Sequence, residues 1–206
     1  MIGRRISRRV FAGTVAATAL VGPAAAAGLT SDEVTIGAAN APVHLIEYAS
    51  STCPHCAEFH ETAWATLKTQ YIDAGRVRFT FREMATAPQA VALAMFQLAR
   101  CETTAPDEYL RRVGVLFERQ AAIFSTPTGE AVQAALLALG GEWGLAPTQV
   151  MAAINDPAGP PRIIRSMEQA AALGVTSTPS FLLNGQKLED HAFHTLEGMQ
   201  LILDAA

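Results

Sequence analysis

Apolar positions along this 206-residue chain fall into patterns that separate strands from helices. Val43 to Ala49 is apolar and β-prone at most positions and reads as a buried strand. Val77, Phe79 and Phe81 alternate within the stretch Arg76 to Met84 and mark a second strand. Between the two, Phe59, Ala63 and Leu67 recur every four residues and predict a helix from about Pro54 to about Tyr71. Pro54 suits its first position, where a backbone N–H would find no partner anyway. Strand, helix and strand of these lengths make a βαβ unit. Upstream, Val34-Thr35-Ile36 is expected as a short edge strand, followed by Gly37 and the turn-prone Asn40-Ala41-Pro42.

From Ala85 to about Leu173 the pattern turns helical throughout. Segments are expected from Pro88 to Cys101, from Pro106 with Leu110, Val113, Phe117 and Phe124 on one face, and from Thr128 to Gly140-Gly141. Two more follow, one near Pro147 and one from Pro161 to Gly174, with prolines at starts and glycines at ends as helix punctuation. A simple crossover needs only about a dozen residues, so residues 85–174 are expected to form an inserted helical domain between 28–84 and 175–206. After it, Phe181 to Leu183 is a strand, Asn184-Gly185 a hairpin turn, Gln186 to Glu189 the return, and Thr195 to Leu203 a closing helix. Pro179 is the odd residue, since proline before a strand removes a ladder donor; a cis peptide at Thr178-Pro179 is one solution.

Charge changes the picture at the N-terminus. Residues 1–27 carry Arg4, Arg5, Arg8 and Arg9 with no acid, then an apolar middle from Ala12 to Val21 and the small residues Ala24 to Ala27. That is the layout of a cleaved export signal, too short in its middle to span a bilayer. Ser7-Arg8-Arg9-Val10-Phe11 has the look of a twin-arginine signal, with an ordinary secretory signal as the alternative; either leads out of the cytoplasm. Without those four arginines 11 basic residues face 19 acidic ones, a balance of −8 that argues against a nucleic-acid partner. No later segment has the length and apolarity of a membrane helix, so the processed chain is expected to be soluble.

The candidate chemistry sits at Cys53-Pro54-His55-Cys56. Two cysteines at this spacing can close and reopen a disulfide, and at a helix start the first thiolate is stabilised by backbone N–H groups. Haem attachment would need histidine directly after the second cysteine, where Ala57 stands. Zinc would need about four ligands, and neither Cys101 nor His191 with His194 makes a convincing second pair. Cys101, in an apolar helical stretch, reads as a buried inert thiol, with a regulatory or bridging thiol as the minority alternative. Glu47 interrupts the first core strand six residues before Cys53; either it is buried and handles the proton of Cys56, or it points out at a sheet margin.

Taken together, Gly37, Ala41-Pro42-Val43, Glu47-Tyr48, Cys53-Pro54-His55-Cys56, Phe59-His60, and Gly174 to Phe181 with Asn184-Gly185 resemble the DsbA-like thiol–disulfide oxidoreductases of the thioredoxin superfamily. The resemblance covers nearly all of the chain after the export signal and implies a thioredoxin fold with an inserted helical domain. It implies that Cys53 is the exposed nucleophile, Cys56 the buried resolving thiol, and Thr178-Pro179 the cis-proline loop on which substrates lie. It strengthens a proton-relay role for Glu47. Pro54-His55 matches the strongly oxidising members, in which a protonated His55 favours the Cys53 thiolate. Thr178 departs from the valine of their best-known form and is the residue of isomerase and reductase relatives; its hydroxyl can donate to the Cys53 sulfur.

The function expected is that of a monomeric periplasmic dithiol oxidase that acts on reduced exported proteins and is regenerated by a membrane redox partner. No metal or organic cofactor is implied. A periplasmic reductase or isomerase is the alternative within the class, with little chain before the first strand for the dimerisation module of the isomerases. A chaperone or copper-handling module holding metal on Cys53 and Cys56 is the alternative outside it.

Overall fold

The computed structural model describes residues 32–126 and 128–206; the expected export signal lies outside them. Their strands form one five-stranded sheet in the order β1-β3-β2-β4-β5. β2 (Val43–Ala49) lies at its centre and is buried at every residue but His44. β3 (Val77–Glu83) runs parallel to it with Leu45 opposite Phe79 and Glu47 opposite Phe81. β1 (Glu33–Ile36) pairs antiparallel with β3 at one edge, as its short alternating sequence predicts. On the other side β4 (Ser180–Leu183) pairs antiparallel with β2, placing Phe181 opposite Glu47. β5 covers only Gln186–Lys187, two residues short of the expected return, before the chain leaves the sheet.

The crossover from β2 to β3 is one helical run over residues 54–72, but not a regular α-helix. α1 (Pro54–Phe59) and α2 (Ala65–Leu67) alternate with π-helical His60–Trp64 and Lys68–Ile72. A repeat of four residues drifts around a helix of 3.6 residues per turn. The wider π turns absorb that drift, and Phe59, Ala63, Leu67 and Tyr71 all stay in the core.

The stretch between β3 and β4 holds α3 (Gln89–Arg100), α4 (Pro106–Glu118), α5 (Gln120–Ile123), α6 (Gly129–Glu142), α7 (Pro147–Ile154) and α8 (Gly159–Ala172). Two expectations shift here. The face that begins with Leu110, Val113 and Phe117 does not reach Phe124, because the chain breaks at Arg119 and Phe124 falls half-buried beyond α5. Gly140-Gly141 does not end its helix: α6 continues to Glu142, and Gly144, at φ 78°, follows in the left-handed conformation. Gly140 is small for another reason, since a Cβ there would lie 2.3 Å from Cγ2 of Val150 on α7. A closing helix, α9 (Leu196–Ala205), is capped by the Thr195 hydroxyl accepting from the Gly198 N–H.

Both sheet faces are covered. Leu45, Phe79, Phe81 and Phe181 join Phe59, Leu67 and the apolar faces of α3, α4 and α6 in the main core. Ile46, Tyr48, Leu182, Met84, Val175 and Ala170 form a smaller core behind the sheet. Glu83, fully buried at the end of β3, binds Arg100, Tyr109 and Arg162 and so joins the sheet to α3, α4 and α8. Among the described residues no helix is long and apolar enough to cross a membrane.

Candidate active site

Ser50-Ser51-Thr52 carries the chain from the end of β2 to the start of the 54–72 run, and both sides of this loop are pinned. The Ser50 hydroxyl accepts from the Thr86 N–H at 3.1 Å and from the Thr86 hydroxyl at 2.9 Å. Thr52 donates to the Thr86 carbonyl at 3.0 Å. From the helical insertion, the Gln120 amide donates to the carbonyls of Ser51 (2.8 Å) and Cys53 (3.1 Å). Cys53 is thereby held at the N-cap of α1 with extended backbone, and Pro54 takes the first helical position as its ring predicts.

Cys53 is not the exposed residue that the resemblance implies: it is buried, 7% exposed, and its sulfur faces the loop before β4. Its thiol lies 3.2 Å from the Thr178 carbonyl oxygen, to which it donates. The Thr178-Pro179 peptide is cis, as the sequence allowed; Ala87-Pro88 is cis as well, without any sequence signal singled out for it. Several groups hold the Cys53 pKa down to about 5 from 9.0. The hydrogen bond from the Cys56 thiol is the largest, outweighing the opposing effect of burial, and Thr178 and the backbone N–H groups of Cys56 and His55 add to it. The expected contribution of the His55 imidazole takes a different form. His55 acts through its backbone N–H, while its exposed ring turns to Glu58, 3.5 Å away. While Cys53 is a thiol it donates to the Thr178 carbonyl, and the buried Thr178 hydroxyl can donate to its sulfur once it is a thiolate, which is how Thr178 lowers the pKa.

Cys56, one turn along, is fully buried. Burial pushes its thiol well above 9.0, and the neighbouring Cys53 and the charge of Glu47 push it further. The two cysteines are free thiols with opposite character, the outer one acidic and the inner one held protonated. Cys101 is also buried and free, donating weakly to the Gln149 carbonyl at 3.7 Å, and burial raises its pKa.

Glu47 does not point out at a sheet margin. It is fully buried between Phe81 and Phe181, and its carboxylate oxygens lie 3.1 and 3.0 Å from Nε2 of His60. His60 was visible beside Phe59 but carried no role in the sequence reading. Its position four residues after Cys56 puts it on the same helix face, which is the signal that could have found it. Gln120 had no such signal, being 67 residues from the carbonyl it holds.

A cleft of about 450 Å³ opens at the Thr178-Pro179 loop, lined also by His55, Ser177, His191 and His194. His191 and His194, unconvincing as a metal pair, are the ends of a 3₁₀ turn, His191–His194, that lines it. Burial, then the charge of His191, lowers the pKa of His194. A second cleft, of about 510 Å³, opens behind Pro54 between the 54–72 run and α4 and α5.

Residues 29–205 match a family model described as thioredoxin. The chain belongs to that family. Among its relatives, a Rickettsia typhi protein named for protein-disulfide oxidoreductase activity is 26% identical over 170 residues, 82% of this chain and 60% of its own. A Rickettsia conorii protein of the same description is 28% identical over 167 residues, 80% of this chain and 58% of its own. The chain thus spans about 60% of the length of the curated relatives it matches. Among solved structures, Wolbachia pipientis alpha-DsbA1 superposes with a TM-score of 0.67 at 22% identity, covering 84% of this chain and 89% of its own. Oxidised BdbD from Bacillus subtilis gives 0.69 at 19%, covering 88% and 97%. The fold is therefore the expected one, a thioredoxin fold carrying a helical insertion, and DsbA structures share it.

Proposed function

We propose that the chain is a thiol–disulfide oxidoreductase that introduces disulfides into exported proteins in the periplasm. The observation that carries this is the pairing of an outer Cys53, acidic to about 5, with a buried Cys56 raised above 9.0. A stabilised Cys53 thiolate is a good leaving group and favours the reduced pair, which makes the disulfide form an oxidant. In the oxidised protein a substrate thiolate attacks Cys53, the Cys53–Cys56 bond breaks, and Cys56 leaves with the electron pair and takes a proton. A second substrate thiolate then attacks the substrate sulfur of the mixed disulfide and releases Cys53 as thiolate. The substrate is oxidised by two electrons and the protein reduced by two.

In this scheme Pro54 and His55 set the helix start that supports Cys53, Glu47 handles the Cys56 proton, and Thr178-Pro179 receives the substrate backbone at the mouth of the 450 Å³ cleft. Residues 28–84 and 175–206 form the thioredoxin unit, residues 85–174 the inserted domain, and 1–27 the export signal. The protein works as a monomer, and a membrane redox partner restores its disulfide. Names of the relatives and the DsbA-type fold support the activity class; the charge layout of residues 1–27 supports export.

The test is oxidation of a reduced, unfolded model protein by the wild type and by Cys53→Ser. Loss of activity in the variant is expected, and retained activity would overturn the proposal. Equilibration of the disulfide with glutathione then decides direction: a strongly oxidising value fits the oxidase, a thioredoxin-like one the reductase.

A further inference from the structure

The buried pair of Glu47 and His60 leaves one group unaccounted for. Nε2 of His60 meets both carboxylate oxygens of Glu47, but Nδ1 is buried and has no partner in the protein. Buried polar atoms without a partner are rare and ask for an explanation. Packing does not supply one, since the ring is already held by Trp64, stacked at 5.0 Å, and by Phe117 at 4.5 Å. His60 also opens the π-helical turn His60–Trp64, an irregularity that recurs at functional sites. Finally, His60 lines the 510 Å³ cleft behind Pro54, together with Glu58, Glu61 and Glu118.

We propose that His60 is the outer member of a proton path that runs from Cys56 through Glu47 to this cleft. The inference rests on the oxidoreductase reading above. When the Cys53–Cys56 bond breaks and Cys56 leaves as thiolate, the proton on Nε2 of His60 passes to the Glu47 carboxylate and from it to the sulfur. Nδ1, shut off from solvent in the resting structure, takes the replacement proton from water when the ring edge opens toward the cleft that His60 lines. The ring ends with its proton moved from Nε2 to Nδ1, and passage of the next proton in reverse, when the dithiol is reoxidised, restores it. An imidazole can do this without turning, because one nitrogen accepts while the other donates. Phe59, Trp64 and Phe117 surround the ring and keep its Nε2 edge toward Glu47. The site-facing cleft at Thr178-Pro179 can then be sealed by a bound substrate while Cys56 keeps access to solvent protons from behind. His60 acts through Glu47 and is a positioning and relay residue, not one that touches substrate.

The test measures how fast the oxidised protein is reduced by a dithiol peptide, by quenching with an alkylating agent. His60→Gln keeps a donor for Glu47 but cannot pass a proton, and its rate is expected to fall by about tenfold or more. His60→Ala is expected to fall likewise and to recover when free imidazole is added, a rescue that a purely structural role would not give. Unchanged rates in both variants, with the wild type active, would overturn the path alone. A wild type that fails to oxidise the peptide would overturn the oxidoreductase reading and the path with it. Should neither single variant fold, Glu47→Gln and Glu47→Gln/His60→Gln replace the pair by neutral amides. Equal rates for these two support one shared path, and an additive loss refutes it.

Discussion

Glu83→Gln tests how the helical insertion is fastened to the sheet. The Glu83 side chain is 1% exposed and receives Arg100 Nε at 2.6 Å, the Tyr109 hydroxyl at 2.7 Å and Arg162 Nε at 3.3 Å. Both guanidiniums are buried almost as deeply. Glutamine keeps the shape and one acceptor oxygen but removes the charge that both arginines face. Removing one partner from a buried ion pair costs about 3–5 kcal/mol. The retained acceptor puts the expected loss near the lower end, about 3 kcal/mol. For a chain of this size that is a drop in Tm of about 6–12 °C. Burial alone would raise the Glu83 pKa, but Arg100 and Arg162, with Tyr109, outweigh it and hold it below the ordinary 4.5. A depressed carboxylate stabilises the fold fully above its unfolded pKa and loses that contribution as pH falls through its folded value. Urea denaturation of the reduced protein should therefore show an acid limb below 4.5 that is weakened in the variant. A loss under about 1 kcal/mol at neutral pH, the value of an exposed pair, would refute the reasoning. So would an acid limb that is the same in both proteins.

Two further expectations concern the site. Ultraviolet titration of the Cys53 thiolate in the reduced protein should show a midpoint at about 5, and a midpoint near the ordinary 9.0 would contradict the hydrogen-bond geometry. Because this folded pKa is depressed, the ionised Cys53 stabilises the reduced fold fully above 9.0 and progressively less as pH falls to about 5. Gln120→Ala leaves the buried carbonyls of Ser51 and Cys53 without their donor and should cost about 1–3 kcal/mol in denaturation. It should also raise the Cys53 midpoint by loosening the helix start; an unchanged stability would show that the loop does not depend on the amide.

Most of the fold was legible because its signals are local. A near-continuous apolar run marked β2, alternation marked β3, and proline and glycine marked most helix ends. Gly140 misled because its smallness serves contact with Val150 rather than a helix end, and periodicity alone cannot tell these apart. The 54–72 run was legible as a helix but not as a π-interrupted one, since a repeat of four fits both. At the site, Cys53, Cys56 and Thr178-Pro179 were named from motif and resemblance, and Glu47 stood out as a charge in an apolar strand. What it pairs with did not, because His60 approaches Glu47 only once helix and sheet are packed. Gln120, His191 and His194 reach the site through tertiary packing that no short window of sequence contains.

The position of β4 has a consequence for how the chain assembles. β2 and β3 are joined by a local crossover, whereas β4 joins β2 across the entire helical insertion, with Leu183 opposite Leu45. Contacts of such separation form late, because the long loop they close must be ordered first. The Cys53-to-Cys56 turn thus takes shape from the first half of the chain, while Thr178, whose carbonyl receives its thiol, arrives near the end. Until β4 docks, Cys53 lacks Thr178, one of the groups that hold its pKa down, so the full acidity of that thiol belongs to the completed fold rather than to the Cys53-to-Cys56 turn alone.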